Sequence, residues 1–177
     1  NNIEISYVNP DSKGIINPEK IQDLIKSNTK MVSIMYANNE IGSINPINEI
    51  IELTKSKDVL FHSDAVQYIG KKNINLSNLD IDLLSIGAHK FYGPKGIGAL
   101  YIKNGILIDP IFLGGGQEKG VSPGTESVAL IAGMAKALEL STNNLDLNTK
   151  HILEMEKLFF SLLNNTSIKY KLNGGNR

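Results

Sequence analysis

Short apolar runs rich in β-branched residues alternate along this chain with stretches whose apolar residues recur at helical spacing. The runs favour strands and lie at residues 3–8, 31–36, 59–63, 83–87 and 98–102. The clearest helix start has Asn17 as N-cap and Pro18 at the first helical position, and a second helix is predicted from Pro46 to Lys57. Strands that alternate with helices are typical of a largely parallel sheet covered by helices. The sequence therefore predicts an α/β fold.

The character of the sequence changes after Gly124. Residues 126–140 are rich in Ala and Leu and predict a helix, and residues 145–163 predict a longer amphipathic helix followed by a short strand at 168–172. The polar break at Ser141–Asn144 is the best candidate for a domain boundary. One helix and one strand do not form an independent domain. We therefore expect residues 1–140 to belong to a large domain and residues 141–177 to begin a smaller one.

The composition excludes several classes of function. The 177 residues contain no Cys, which removes disulfides, thiolate metal sites and a cysteine nucleophile. The 18 basic and 18 acidic side chains balance, so neither nucleic acid nor an anionic membrane is an expected partner. No apolar run approaches the roughly 20 residues that span a bilayer, and the first residues show neither a signal-peptide pattern nor an initiator Met. We expect a cytoplasmic location and a chain cut from a longer protein.

Four polar stretches stand at or beyond the predicted strand ends, where open α/β sheets bind ligands. They are Asn38–Gly42, His62–Gln67, His89–Gly96 and Gly114–Gly120. Each also has a plain structural interpretation, because such residues are common in turns and an Asp after a strand often caps a helix. Neither a phosphate-binding Lys-Ser/Thr pair, a dinucleotide glycine spacing nor a G-x-S-x-G elbow is present. No His pair at ligand spacing is present either, and no metal site is predicted.

Together the four stretches supply the groups that pyridoxal phosphate (PLP) requires of a protein. A carboxylate can hold a protonated pyridine nitrogen, and a lysine can form an imine with an aldehyde. Hydroxyl and backbone N–H groups can hold a phosphate. The residues alone therefore make a PLP site one interpretation among several.

In order and spacing, these segments resemble the cysteine desulfurase family, within the class V aminotransferase group of fold-type I PLP enzymes. The segments that carry the resemblance are Asn38–Gly42, His62–Gln67, Ala88–Gly98 and Gly114–Glu118. For residues 1–140 the resemblance implies part of the three-layer, largely parallel sheet of the PLP-dependent transferase large domain. For residues 141–177 it implies the start of the small α/β domain.

The resemblance also assigns roles by position. Lys90 is similar to the lysine that holds the cofactor as an imine and moves the substrate proton. Asp64 is similar to the carboxylate that pairs with the pyridine nitrogen. Asn39 and Gln67 match side chains near the phenolate oxygen of the cofactor, and His89 matches a residue that helps to hold the phosphate.

A further match implies a homodimer, because Thr125 is similar to a threonine that reaches the phosphate of the partner subunit.

Two positions depart from the family pattern. Gly87 stands where a phosphate-binding Ser is frequent, and Ser122 stands where an Arg is frequent. One phosphate contact and one contact near the active site are therefore expected to differ.

The implied activity of the parent protein is conversion of L-cysteine to L-alanine, with the sulfur passed to an enzyme cysteine as a persulfide. The persulfide would serve iron–sulfur cluster or thio-cofactor biosynthesis through an acceptor such as an iron–sulfur scaffold protein. Because these 177 residues contain no Cys, we expect them to be inactive alone. The resemblance also implies weak or no stable binding of PLP by these residues alone, because part of the family's phosphate-binding set is not among them. Two alternatives stay open: another class V PLP enzyme such as selenocysteine lyase, and a folded piece without catalytic activity.

Overall fold

A computed structural model describes residues 3–175 of the chain. Its strands are β1 (Met31–Met35), β2 (Leu60–Asp64), β3 (Leu83–Gly87) and β4 (Gly98–Ile102). Its α-helices are α1 (Pro18–Leu24), α2 (Ile47–Ser56), α3 (Val128–Asn143) and α4 (Leu145–Asn164). Short 3₁₀ turns lie at Ala88–Phe91 and Gln117–Gly120.

The strands form a single sheet in the order β1-β2-β3-β4. The pairs β1–β2 and β2–β3 are parallel, whereas β3–β4 is antiparallel. Helix α2 connects β1 to β2, as a parallel crossover requires. The mostly parallel α/β fold expected from the sequence is thereby confirmed.

The hydrophobic core lies on one face of the sheet, where helix α2 covers it. Phe61 of β2 and Leu84 of β3 point into this core and are each 1% exposed. Helix α2 presents Ile50 at 0% exposure, and Thr54 donates its hydroxyl to the Ile50 carbonyl at 3.0 Å, so the buried hydroxyl is satisfied. The predicted helix start also holds, since Asn17 Oδ1 accepts a hydrogen bond from Glu19 N at 2.9 Å.

The opposite face of the sheet is more open. Met31 of β1 is 50% exposed and Leu100 of β4 is 46% exposed, although neither is polar. Ser33, His62 and Ser85 lie between them on β1, β2 and β3 and share this face by the register of the strands. The carboxyl ends of β1, β2 and β3 point to one edge, which positions the loops that follow them.

Two predicted strands are wrong. Residues 3–8 and 168–172 adopt no strand, and Ile3 and Tyr7 are 83% and 82% exposed. Alternating apolar residues favour a strand only where a neighbouring strand supplies hydrogen bonds, and within residues 3–175 no strand pairs with either segment.

The predicted helices after Gly124 are confirmed as α3 and α4, which Asn144 alone separates. The division into domains at residue 140 stays a prediction, and its outer ends, residues 1–2 and 176–177, lie outside the described residues. Among the helices of residues 3–175, none combines the length and the apolar character needed to cross a membrane.

Candidate active site

Asp64 is the last residue of β2 and lies half-buried at the carboxyl edge of the sheet. Its Oδ1 accepts a hydrogen bond from Val66 N at 2.9 Å, which closes the turn after the strand. Its Oδ2 has no hydrogen-bond partner among residues 3–175. Asp64 is therefore both a turn cap and a fixed carboxylate with one oxygen available for a ligand.

Lys90 lies in the 3₁₀ turn that follows β3. Ala88 and Phe91 of this turn are buried at 0% and 1% exposure, so the turn is anchored on both sides of the lysine. Ala88 N donates to Ile97 O at 3.2 Å, and Gly93 N donates to Ala88 O at 2.9 Å. The half-buried Lys90 amine forms no hydrogen bond or ion pair with the described part of the chain.

Gln67 is hydrogen-bonded to a lysine that the sequence analysis did not single out. Lys71 Nζ donates to Gln67 Oε1 at 2.7 Å. Burial lowers the pKa of Lys71, and the positive charge of Lys90 lowers it further. Because an ammonium only donates, the Gln67 oxygen faces Lys71 and its NH₂ group is left to donate elsewhere. The signal for Lys71 in the sequence was its spacing of four residues from Gln67.

The turns after β2 and β3 also touch near Gly87. A Cβ placed on Gly87 would lie 3.5 Å from both Val66 Cγ atoms and 3.9 Å from His89 Cε1, which are ordinary van der Waals distances. The structure therefore brings the Asp64–Gln67 segment against the segment that carries His89 and Lys90. His89 itself is exposed. A Cβ at position 87 would therefore fit without displacing its neighbours.

Asn39 lies at the same edge, in the turn after β1. Asn38 Oδ1 accepts hydrogen bonds from Glu40 N at 2.9 Å and Ile41 N at 3.0 Å, which holds the turn and leaves Asn39 exposed. Tyr36 N donates to Asp64 O at 2.8 Å, so this turn begins beside Asp64.

The aromatic pair Tyr36 and Tyr68 joins the loops after β1 and β2. Their rings stack at 3.8 Å between centroids with 27° between planes. Burial raises the pKa of Tyr36, and its hydrogen bond with Tyr68 adds to the effect. The stacked rings join the two loops on the side that packs against the hydrophobic core.

Thr125 lies in the loop that precedes α3 and is exposed. Helix α3 nevertheless packs on the turn that holds Lys90, where Ser141 Oγ donates to Phe91 O at 3.1 Å. Asp64, Gln67, His89, Lys90 and Asn39 thus lie at or after the carboxyl ends of β1, β2 and β3, and Thr125 lies in the exposed loop before α3. Their roles stay predictions.

A second feature that the sequence did not indicate is a hydrogen-bonded bridge across three strands. His62 Nδ1 lies 2.7 Å from Ser33 Oγ on β1, and His62 Nε2 lies 2.9 Å from Ser85 Oγ on β3. Burial lowers the pKa of His62, and the negative charge of Asp64 partly opposes this. The imidazole lies on the same face of β2 as Asp64, two residues earlier.

These features define a class of open α/β protein. At the carboxyl ends of its parallel strands lie a carboxylate, Asp64, and an amine, Lys90, that come from neighbouring strands. The chain belongs to the aminotransferase class-V family, whose model matches residues 1–173.

The chain is 44% identical over 171 residues to the cysteine desulfurase IscS of Dictyoglomus turgidum, covering 97% of this chain and 43% of that protein. Its fold matches the solved structure of a NifS-like protein with a TM-score of 0.85 at 42% identity, covering 90% of this chain and 44% of that one. It also matches a structure of SspA in complex with cysteine, with a TM-score of 0.73 at 39% identity, covering 76% of this chain and 39% of that one. The chain spans about two-fifths of the length of the curated relatives it matches.

Proposed function

We propose that this chain is part of a PLP-dependent cysteine desulfurase. The observation that carries the proposal is the pair of available groups at the ends of adjacent strands, Asp64 Oδ2 and the Lys90 amine. The relatives with cysteine desulfurase names and the neighbour whose structure contains cysteine support the same choice. The proposed reaction converts L-cysteine to L-alanine and passes the sulfur to an enzyme cysteine.

The donor set at the sheet edge fits PLP. When bound, PLP supplies an aldehyde that condenses with amines and a protonated ring that withdraws electrons. Asp64 would hold the ring nitrogen protonated through its available oxygen, and the Lys90 amine would bind the aldehyde. The Gln67 NH₂ group, which Lys71 leaves as a donor, suits the anionic phenolate oxygen, with Asn39 at the same edge. His89 would contribute to holding the phosphate, and Thr125 would do so from a partner subunit.

In the reaction, Lys90 Nζ would accept the proton from Cα of L-cysteine. The buried side chains of Ala88 and Phe91 hold the turn that carries Lys90 in place. The persulfide step needs a thiol, and these 177 residues contain none. The proposal takes the parent protein to be a cytoplasmic homodimer that hands sulfur to an acceptor such as an iron–sulfur scaffold.

Reductive trapping tests the cofactor assignment. The chain is mixed with PLP, reduced with borohydride and mapped by peptide mass spectrometry. Stable binding is expected to be weak, so PLP is supplied in excess, and the phosphopyridoxyl adduct that forms is expected on Lys90 and lost in Lys90→Ala. Lys95→Ala is the matched control, because Lys95 is an exposed lysine in the same loop. An adduct spread over exposed lysines, or one equal in Lys90→Ala, would contradict the assignment.

Gly87→Ser is a gain-of-binding variant for the same experiment. The position has room for a Cβ, and a serine hydroxyl there would add a phosphate contact. One hydrogen bond to a charged group contributes about 1.5–3 kcal/mol, so we expect capture at Lys90 at roughly tenfold lower PLP concentration. An unchanged or weaker capture would show that the phosphate does not lie at this turn.

Turnover gives an independent result. With PLP, L-cysteine and a dithiol reductant to release transferred sulfur as sulfide, we expect the 177-residue chain to produce neither alanine nor sulfide, because the sulfur-accepting thiol is missing. Alanine and sulfide formed in equal amounts, and abolished in Lys90→Ala, would show that the chain needs no thiol of its own.

A further inference from the structure

The bridge formed by Ser33, His62 and Ser85 runs across the centre of the sheet, directly behind Asp64. The register places Ser33 opposite His62, and it places Ser85 opposite Asp64. Both ring nitrogens of His62 have a hydroxyl partner, at 2.7 and 2.9 Å. The His62 side chain therefore links three parallel strands, two residues before β2 ends at Asp64.

A neutral imidazole satisfies both partners, because it donates from one nitrogen and accepts at the other, and each serine hydroxyl can do either. The groups that face the ring from β1 and β3 are these uncharged hydroxyls, and the charge that acts on it is that of Asp64 on its own strand. Burial disfavours the charged form of the ring.

We propose that His62 is a positioning residue for Asp64: a neutral, doubly hydrogen-bonded imidazole that fixes the end of β2 and places no competing positive charge behind the carboxylate. The inference rests on the proposed function, in which Asp64 holds a cationic ring nitrogen. An imidazolium at position 62 would attract the same carboxylate and weaken that interaction. The hydroxyl partners keep the ring oriented without supplying a carboxylate that would charge it.

The size of the effect follows from the strand geometry. Residues two apart on one face of a strand are separated by roughly 7 Å. At this separation two unit charges in a partly solvated site interact strongly enough to move a pKa by about one unit. Coupling between two sites is reciprocal, so charging His62 weakens binding of a cation by Asp64 about tenfold.

The closing experiment first measures His62 without any cofactor. Nuclear magnetic resonance follows the ¹³Cε1 and ¹⁵N signals of His62 against pH in the full chain, and His62→Gln assigns them. We expect a pKa below the ordinary 6.5 for His62, and a further decrease of about one unit in Asp64→Asn because the favourable charge is removed. Asp146→Asn in α4 is the matched control and should leave the His62 titration unchanged. Ser33→Ala should shift the Nδ1 signal while the protein stays folded.

A His62 pKa at or above the ordinary value, or one that Asp64→Asn does not move, would overturn the proposal and leave the bridge a purely structural contact. The second arm measures PLP capture at Lys90. Between one pH unit above and one pH unit below the His62 pKa found in the first arm, the ratio of wild-type to His62→Gln capture should fall by up to about tenfold, and a constant ratio across that pKa would also overturn it. Adducts on other lysines and none on Lys90 would refute the proposed function, whereas the first arm would still decide whether His62 and Asp64 are coupled.

Discussion

Gly70 supports the turn that carries Lys90 from behind, and replacing it with alanine should destabilise the chain. Its φ is +75°, a left-handed conformation that costs an L-residue about 1–2 kcal/mol. A Cβ at this position would lie 2.6 Å from Phe91 Cβ and 3.3 Å from Ser141 Cβ. Phe91 is 1% exposed and cannot move into solvent, so overpacking adds about 1–3 kcal/mol. We expect Gly70→Ala to lower the free energy of unfolding by about 2–5 kcal/mol.

Gly96→Ala separates the two contributions. Gly96 has φ +85°, and a Cβ there would meet no heavy atom within 4 Å, so only the conformational cost of about 1–2 kcal/mol applies. Urea unfolding of the chain and both variants measures the difference, with the dependence on urea concentration checked for equality. Because Phe91 follows Lys90 directly, Gly70→Ala should also reduce PLP capture more than Gly96→Ala does. Equal destabilisation of the two variants would refute the contact between Gly70 and Phe91.

Two further predictions concern polar groups of β2. Ser63 is 0% exposed and its hydroxyl has no hydrogen-bond partner among residues 3–175. Ser63→Ala should therefore leave the free energy of unfolding unchanged or raise it by about 1 kcal/mol, since an unpaired buried hydroxyl is costly. A decrease of more than about 1 kcal/mol in the free energy of unfolding, measured with urea, would show that the Ser63 hydroxyl makes a stabilising interaction. Burial lowers the pKa of His62 below its ordinary 6.5. Between the folded and the ordinary pKa, the unfolded chain therefore binds more protons than the folded chain does. The free energy of unfolding should fall as pH decreases below about 6.5, and His62→Gln should flatten this slope in urea titrations at several pH values.

The strands that could be predicted from the sequence are those whose signal is local. The runs at 83–87 and 98–102 coincide with β3 and β4, because β-branched and apolar residues bounded by glycine favour short buried strands. Residues 3–8 show the same alternation and yet form no strand. A strand depends on a neighbour for its hydrogen bonds, and that neighbour is not encoded in the segment itself.

The residues of the candidate site also fall into those that the sequence could predict and those that it could not. Asp64 and Lys90 were predictable because each follows a strand run, and strand ends collect ligand groups. The serine partners of His62 were not predictable, since they lie 29 and 23 residues away in the chain and meet it only through the strand register. Lys71 was also missed, because a lysine four residues after a glutamine is typical of any solvated turn.

Helix α4 has 20 residues and buries none of them, although Ile152, Phe159 and Leu162 are among its apolar side chains. Helix α3, in contrast, is joined to the core through Met134 and Ser141. Little burial energy therefore opposes the opening of α4, whereas opening β2 disrupts the whole core. We therefore expect the backbone amides of α4 to exchange with solvent through local opening, and those of the central strands to exchange only when the sheet itself opens.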